Sequence, residues 1–105
     1  LDAKQPQRAR PFLERSYAIE PTPFTAYALG VLARQSGDVR RAIALLEQSL
    51  SLSPNTPATL YQLSITYAVV HDMGHARATA ARLAMVSPGY PGLVSLASAL
   101  GMDRQ

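Results

Sequence analysis

The side chains best spaced for chemistry are His71 and His75, four residues apart with Asp72 between them. On one helix that interval turns two imidazoles to a common face, as metal ligands need. The glutamate of a zinc-protease motif is missing and no third ligand stands nearby, so the pair reads as part of a solvated turn. The chain contains no cysteine, which removes thiolate nucleophiles and disulfides together. A glycine-rich phosphate loop, a GxSxG elbow and paired catalytic carboxylates are also missing. The expectation is a non-enzyme without metal or cofactor, whose function lies in a surface.

Charge narrows the partners of that surface. Ten basic residues against seven acidic ones give a net charge of +3, but only Lys4 is a lysine and the arginines are scattered from Arg8 to Arg104. No dense basic patch follows from that spacing, so nucleic acid is not the expected partner. No apolar run reaches the ~20 residues of a membrane helix, because Arg77 and Arg82 interrupt the most apolar stretch, 76–86. The absence of Cys fits a reducing or an oxidising compartment, and localisation stays open. The chain begins at Leu1 without Met or a signal segment, which reads as a portion of something longer. Richness in Ala, Leu and Arg with a single Lys suggests a bacterial source of high GC content.

The elements that must build the surface come from a repeat. Pro23, Thr25, Tyr27, Leu29, Asp38, Ala42, Ala44, Ser53 and Pro54 recur 34 residues later as Pro57, Thr59, Tyr61, Leu63, Asp72, Ala76, Ala78, Ser87 and Pro88. A fixed period of that length indicates a stack of supersecondary units. In the first unit Thr22 is the expected N-cap of a helix from Pro23 or Phe24 to about Gln35. Gly37 supplies a left-handed stop, and Asp38 caps a partner helix over 39–52. The second unit follows with a helix from Pro57 to about Val70, His71 in the place of Gly37, Asp72 as cap, and a helix from Met73 or Gly74 to Val86 or Ser87. Gly74 in the first turn predicts a looser start.

Within each unit, Ala26, Leu29-Gly30, Ala33, Ala42, Leu46 and Pro54, and then Leu60, Leu63-Ser64, Tyr67, Ala76, Ala80 and Pro88, fall at the signature spacings of a tetratricopeptide repeat. The chain therefore resembles the tetratricopeptide repeat family over nearly its whole length. It departs from that pattern at Ala26, Ala33, Ser64 and Ala80. The resemblance implies an all-α, right-handed helix-turn-helix solenoid of about six antiparallel helices.

Partial units flank the two whole ones. Residues 1–8 read as a frayed lead-in. Residues 9–21 read as the second helix of a preceding repeat, since Ala9, Leu13, Glu14, Ser16 and Pro21 match Ala42, Leu46, Glu47, Ser49 and Pro54. Pro11 belongs in that helix's first turn. The whole repeats then span 22–55 and 56–90. A helix expected to start at Pro91 carries Leu93, Leu96, Ala97 and Leu100 over 91–101, as a cap or the first helix of a third repeat, and 102–105 is a polar tail.

In the tetratricopeptide family the first helix of each repeat lines a concave groove where peptides lie. The resemblance thus implies a partner-binding face of Phe24, Tyr27, Val31 and Arg34 with Tyr61, Gln62 and Ile65, Tyr27 and Tyr61 stacking at its centre. Ala28, Gln35, Ala58, Ala68 and Val69 fall on the same faces. Relatives that clasp acidic chaperone C-termini use Lys, Asn and Arg here, where this chain has Tyr27, Val31 and Gln62, so a mostly apolar protein or peptide ligand is expected. The alternative is a structural segment of a larger scaffold, for example in bacterial secretion or exopolysaccharide export, that self-associates as a homo-oligomer. A convex strip of Ala78, Ala81 and Met85, aligned with the wetter Ala44, Glu47 and Ser51, is the candidate contact for it.

Overall fold

The computed structural model describes residues 7–102. The described residues form six helices: α1 (Arg10–Ile19), α2 (Pro23–Gln35), α3 (Val39–Leu52), α4 (Pro57–Val69), α5 (Met73–Val86) and α6 (Leu93–Ala99), and no strand is found among them. The protein is all-α. It divides into two compact units, Leu1–Pro54 and Asn55–Gln105. Most of the expected lead-in and of the expected tail, residues 1–6 and 103–105, lies outside the described residues. Of that lead-in, Gln7 and Arg8 are described and have helical backbone geometry.

In the first unit, local signals fix the helix ends. Thr22 and Thr25 form a reciprocal capping box, each side-chain oxygen accepting from the other's backbone amide at 3.1 and 3.0 Å. Pro23 takes the first helical position, where its missing amide proton costs nothing. The helix closes as a Schellman motif: the Gly37 amide donates to the Arg34 carbonyl and the Asp38 amide to the Ala33 carbonyl, with Gly37 at φ 91°. Asp38 then accepts from the Arg41 amide at 3.3 Å and starts α3. The two helices pack on Ala26, Leu29, Ala33, Ala42, Leu45 and Leu46, all buried. The far end is tied by the Ser49 hydroxyl donating to the Pro23 carbonyl at 2.8 Å.

The second unit repeats the design on Leu60, Leu63, Tyr67, Ala76, Ala80 and Leu83, also buried. Every signature position of the repeat except the exposed prolines Pro54 and Pro88 is therefore in a core. Two details differ. Thr56 stands before α4 without a side-chain cap to the first turn. At the other end the same Schellman bonds, His71 amide to Ala68 carbonyl and Asp72 amide to Tyr67 carbonyl, are closed by His71 at φ 62°. An L-residue there costs roughly 1–2 kcal/mol, part of which is offset because glycine loses more entropy on folding. His71→Gly is accordingly expected to stabilise the protein by about 0.5–1 kcal/mol, read as a higher midpoint in urea with an unchanged slope. An unchanged or lower midpoint would mean that His71 makes compensating contacts.

The last helix starts later than its sequence suggests. Pro91 lies in a turn, and Gly92 at φ 88° is the N-cap of α6. The left-handed Gly92 keeps helical geometry from running through Pro91 and Gly92, and the Tyr90 ring lies 5.2 Å from that of Tyr61 at a 43° tilt. Leu93, Leu96 and Leu100 are buried. The Arg77 guanidinium donates from Nε to the Leu100 carbonyl at 2.7 Å, fixing α6 to α5.

Candidate interaction groove

In the first unit α1 lies against α2 without a core of its own, since none of its residues is buried. Leu13 and Tyr17 are half-buried and pack on Leu29, Ala33, Ala42 and Leu45. Polar contacts fix the rest of the helix. The Tyr17 hydroxyl donates to the Gln48 side chain, Arg10 reaches the Ser36 hydroxyl at 3.1 Å, and Gln7 reaches the Leu32 carbonyl at 3.4 Å. Arg41 pairs with both oxygens of Glu14 at 3.1 and 3.3 Å, an exposed pair worth about 0–1 kcal/mol.

Between α1 and α2 an open groove of about 320 Å³ remains, lined by Ala9, Leu13, Tyr27, Ala28, Val31, Leu32 and Gln35. No charged side chain among the described residues lines it. An ionised group buried there would lose hydration without gaining a partner among them. The chemistry on offer is apolar contact, with the exposed Gln35 amide able to fix an orientation.

Tyr27 and Val31, expected on the binding face, are half-buried and line this groove, with Ala28 and Gln35 beside them. Phe24 lies on the first turn of α2, 69% exposed, and Arg34 is half-buried on the same helix; neither lines the groove. Tyr61, Gln62 and Ile65 are half-buried on α4. The ring partner of Tyr61 is Tyr90, so its outer end is engaged by the chain leading into α6. Ala9, Leu13 and Leu32 were not expected in a groove. Their match to core positions Ala42 and Leu46 makes Ala9 and Leu13 look covered, whereas Ala9 is exposed and Leu13 half-buried.

The histidines of the second unit part company. His71 is exposed in the turn, while the His75 ring stacks on Tyr67 at 5.0 Å and its Nδ1 lies 2.8 Å from Asp72 Oδ2. The His75 backbone amide first, and then its ring, hold the Asp72 carboxyl below the usual carboxylate range. Among the described residues no group of three or more His, Asp or Glu side chains could hold a metal ion. No helix among them is long and apolar enough to cross a membrane.

On α5, Ala78, Ala81 and Met85 are exposed, Met85 at 85%. Ala44, Glu47 and Ser51 are likewise exposed on α3. No protein-family model and no curated protein sequence matches the chain.

Proposed function

We propose that the chain is a non-catalytic protein-interaction module of the tetratricopeptide type, a segment of a right-handed helical solenoid that holds a helix or peptide of a partner protein. The groove between α1 and α2, whose described lining residues carry no charge, supports this reading. Tyr27 and Val31 form its centre, with Phe24 and Arg34 on the same helix; Tyr61, Gln62 and Ile65 give the matching face of the second unit. Binding is the whole mechanism: apolar side chains of the ligand leave water against Leu13, Val31 and Leu32 at roughly 25 cal/mol per Å². The test is selection of peptides from a displayed random library, followed by titration against Val31→Glu. Selected ligands are expected to lose about tenfold or more in affinity while the far-ultraviolet circular dichroism stays helical. Ligands that bind the folded variant as well as the native protein would remove the groove from consideration.

A second reading rests on the α5 strip, where the flanking arginines are already engaged, Arg77 by the Leu100 carbonyl and Arg82 by Asn55 at 2.8 Å. On this reading Ala78, Ala81 and Met85 form a contact between copies. Ala81→Glu should change stability by no more than about 0.5 kcal/mol, because Ala81 is exposed, and should abolish concentration-dependent light scattering. Native protein that stays monomeric to high micromolar levels leaves this reading without support, and a variant that unfolds would show Ala81 to be part of a core.

A further inference from the structure

Within the second unit Tyr61 and Tyr90 meet with ring centroids 5.2 Å apart at a 43° tilt, toward the short end of the roughly 4.5–7 Å that aromatic pairs span. Both backbones are fixed. Tyr61 lies in the body of α4, and Tyr90 is held on two sides, its amide donating to the Ser87 carbonyl at 3.0 Å and its carbonyl accepting from the Leu93 amide at 3.1 Å. The phenol end of Tyr61 is the end that reaches this turn. A Cβ built on Gly92 would lie 2.6 Å from the Tyr61 hydroxyl oxygen, 3.0 Å from Cζ and 3.2 Å from Cε1, one of the two ring carbons ortho to the hydroxyl. Those are the carbons at which oxidised tyrosines join.

Composition decides what becomes of an oxidised tyrosine here. The chain contains no cysteine and no tryptophan, the side chains that most readily hand an electron back to a phenoxyl radical, so a radical on either ring lasts until a second one meets it. Both rings are half-buried, and each reaches the other more easily than it reaches a tyrosine of another chain. We propose that Tyr61 and Tyr90 are an oxidative modification site, where a one-electron oxidant such as the ferryl haem of a peroxidase joins the two rings as a dityrosine. Each phenol gives up one electron and its hydroxyl proton, and the two phenoxyls form one carbon-carbon bond between carbons ortho to their oxygens. The hydrogen on each bonded carbon then leaves as a proton while each oxygen takes one up, which restores both hydroxyls and both aromatic rings. Two electrons and two protons are lost in all, and one hydrogen peroxide reduced to two waters accepts them. The bond ties α4 to the turn before α6 and closes a covalent loop over residues 61–90 with α5 inside it, which restricts the unfolded chain as a disulfide does.

The test treats dilute folded protein with hydrogen peroxide and a haem peroxidase, and follows the blue fluorescence of dityrosine together with the intact mass. The expected product is a monomer that has lost two hydrogens, apart from any oxygen gained at methionine. Its tryptic digest should join residues 42–77 to residues 83–104, with fragmentation placing the bond between Tyr61 and Tyr90. The linked protein should unfold at a higher urea midpoint than the untreated one. Tyr61→Phe and, separately, Tyr90→Phe keep an aromatic ring at the contact and should each lose this product while the far-ultraviolet circular dichroism stays helical. Protein oxidised in denaturing urea should yield much less of it, because the fold no longer brings the rings together. A bond that forms as well in the unfolded chain, that survives either variant, or that joins two chains in place of residues 61 and 90 would overturn the proposal. So would recovery of unlinked protein under conditions that couple free tyrosine.

Discussion

Gly30→Ser is expected to destabilise the protein by roughly 1–3 kcal/mol, as overpacking of a filled core does, although the same residue type is native one repeat later. A Cβ on Gly30 would lie 2.8 Å from Leu46 Cγ, 3.1 Å from its Cδ2 and 3.4 Å from the Ala42 carbonyl oxygen. At the corresponding place in the second unit Ser64 is fully buried and donates to the Ala76 carbonyl. The difference is Ala80, which stands where the first unit has Leu46. Glycine with leucine and serine with alanine are thus two ways of filling one space. Leu46→Ala alone should cost about 2–5 kcal/mol, since Leu46 is fully buried and its removal leaves a cavity. The double variant should be more stable than the sum of the two costs predicts by about 1–3 kcal/mol, because the new side chain enters the space that Leu46 leaves and its hydroxyl can reach the Ala42 carbonyl. Urea unfolding of the four proteins closes the cycle. Additive costs would show that the two positions are not coupled and that Ser64 with Ala80 is coincidence.

That exchange also shows what a sequence pattern can and cannot carry. Departures such as Ser64 and Ala80 look like separate weaknesses in a row of letters, but they compensate across a helix pair. Helix ends were legible where the signal is local: Thr22 and Pro23 begin α2, and Gly37 and Asp38 divide it from α3, because caps and left-handed stops depend only on neighbouring residues. The start of α6 was not legible. Pro91 stands one period after Pro57 and looks like a first helical residue, yet Gly92 takes a left-handed φ of 88° and the helix begins at Leu93. The groove was half legible, for a related reason. Tyr27 and Val31 were placed on a binding face of α2 by the resemblance to a tetratricopeptide repeat, whereas Ala9 and Leu13 carry the letters of a core, and only the arrangement of α1 shows Ala9 exposed and Leu13 half-buried.

Gly92→Ala is expected to cost roughly 2 kcal/mol or more, the sum of two separable effects. The first is backbone: at φ 88° an L-residue is strained by about 1–2 kcal/mol. The second is contact, since an added Cβ would lie 2.6 Å from the Tyr61 hydroxyl oxygen and 3.0 Å from Cζ, and Tyr90 limits where that ring can go. Gly101→Ala supplies the reference, because it shares a left-handed φ of 74° but its nearest neighbour would be Arg77 Nη2 at 3.9 Å. It should show the backbone cost alone. Adding Tyr61→Phe to Gly92→Ala removes the closest atom and should recover part of the difference. Hydrogen exchange of the α6 amides should quicken in Gly92→Ala, since α6 is the element whose start is displaced. Equal costs for the two glycines would mean that the tyrosine is not pressed against the turn. If instead the costs differ as expected, Tyr61 is a packing residue of its own unit. Loss of ligand on Tyr61→Ala would then report a loosened α6 as readily as a lost contact, which is why Val31 is the sounder place to test binding.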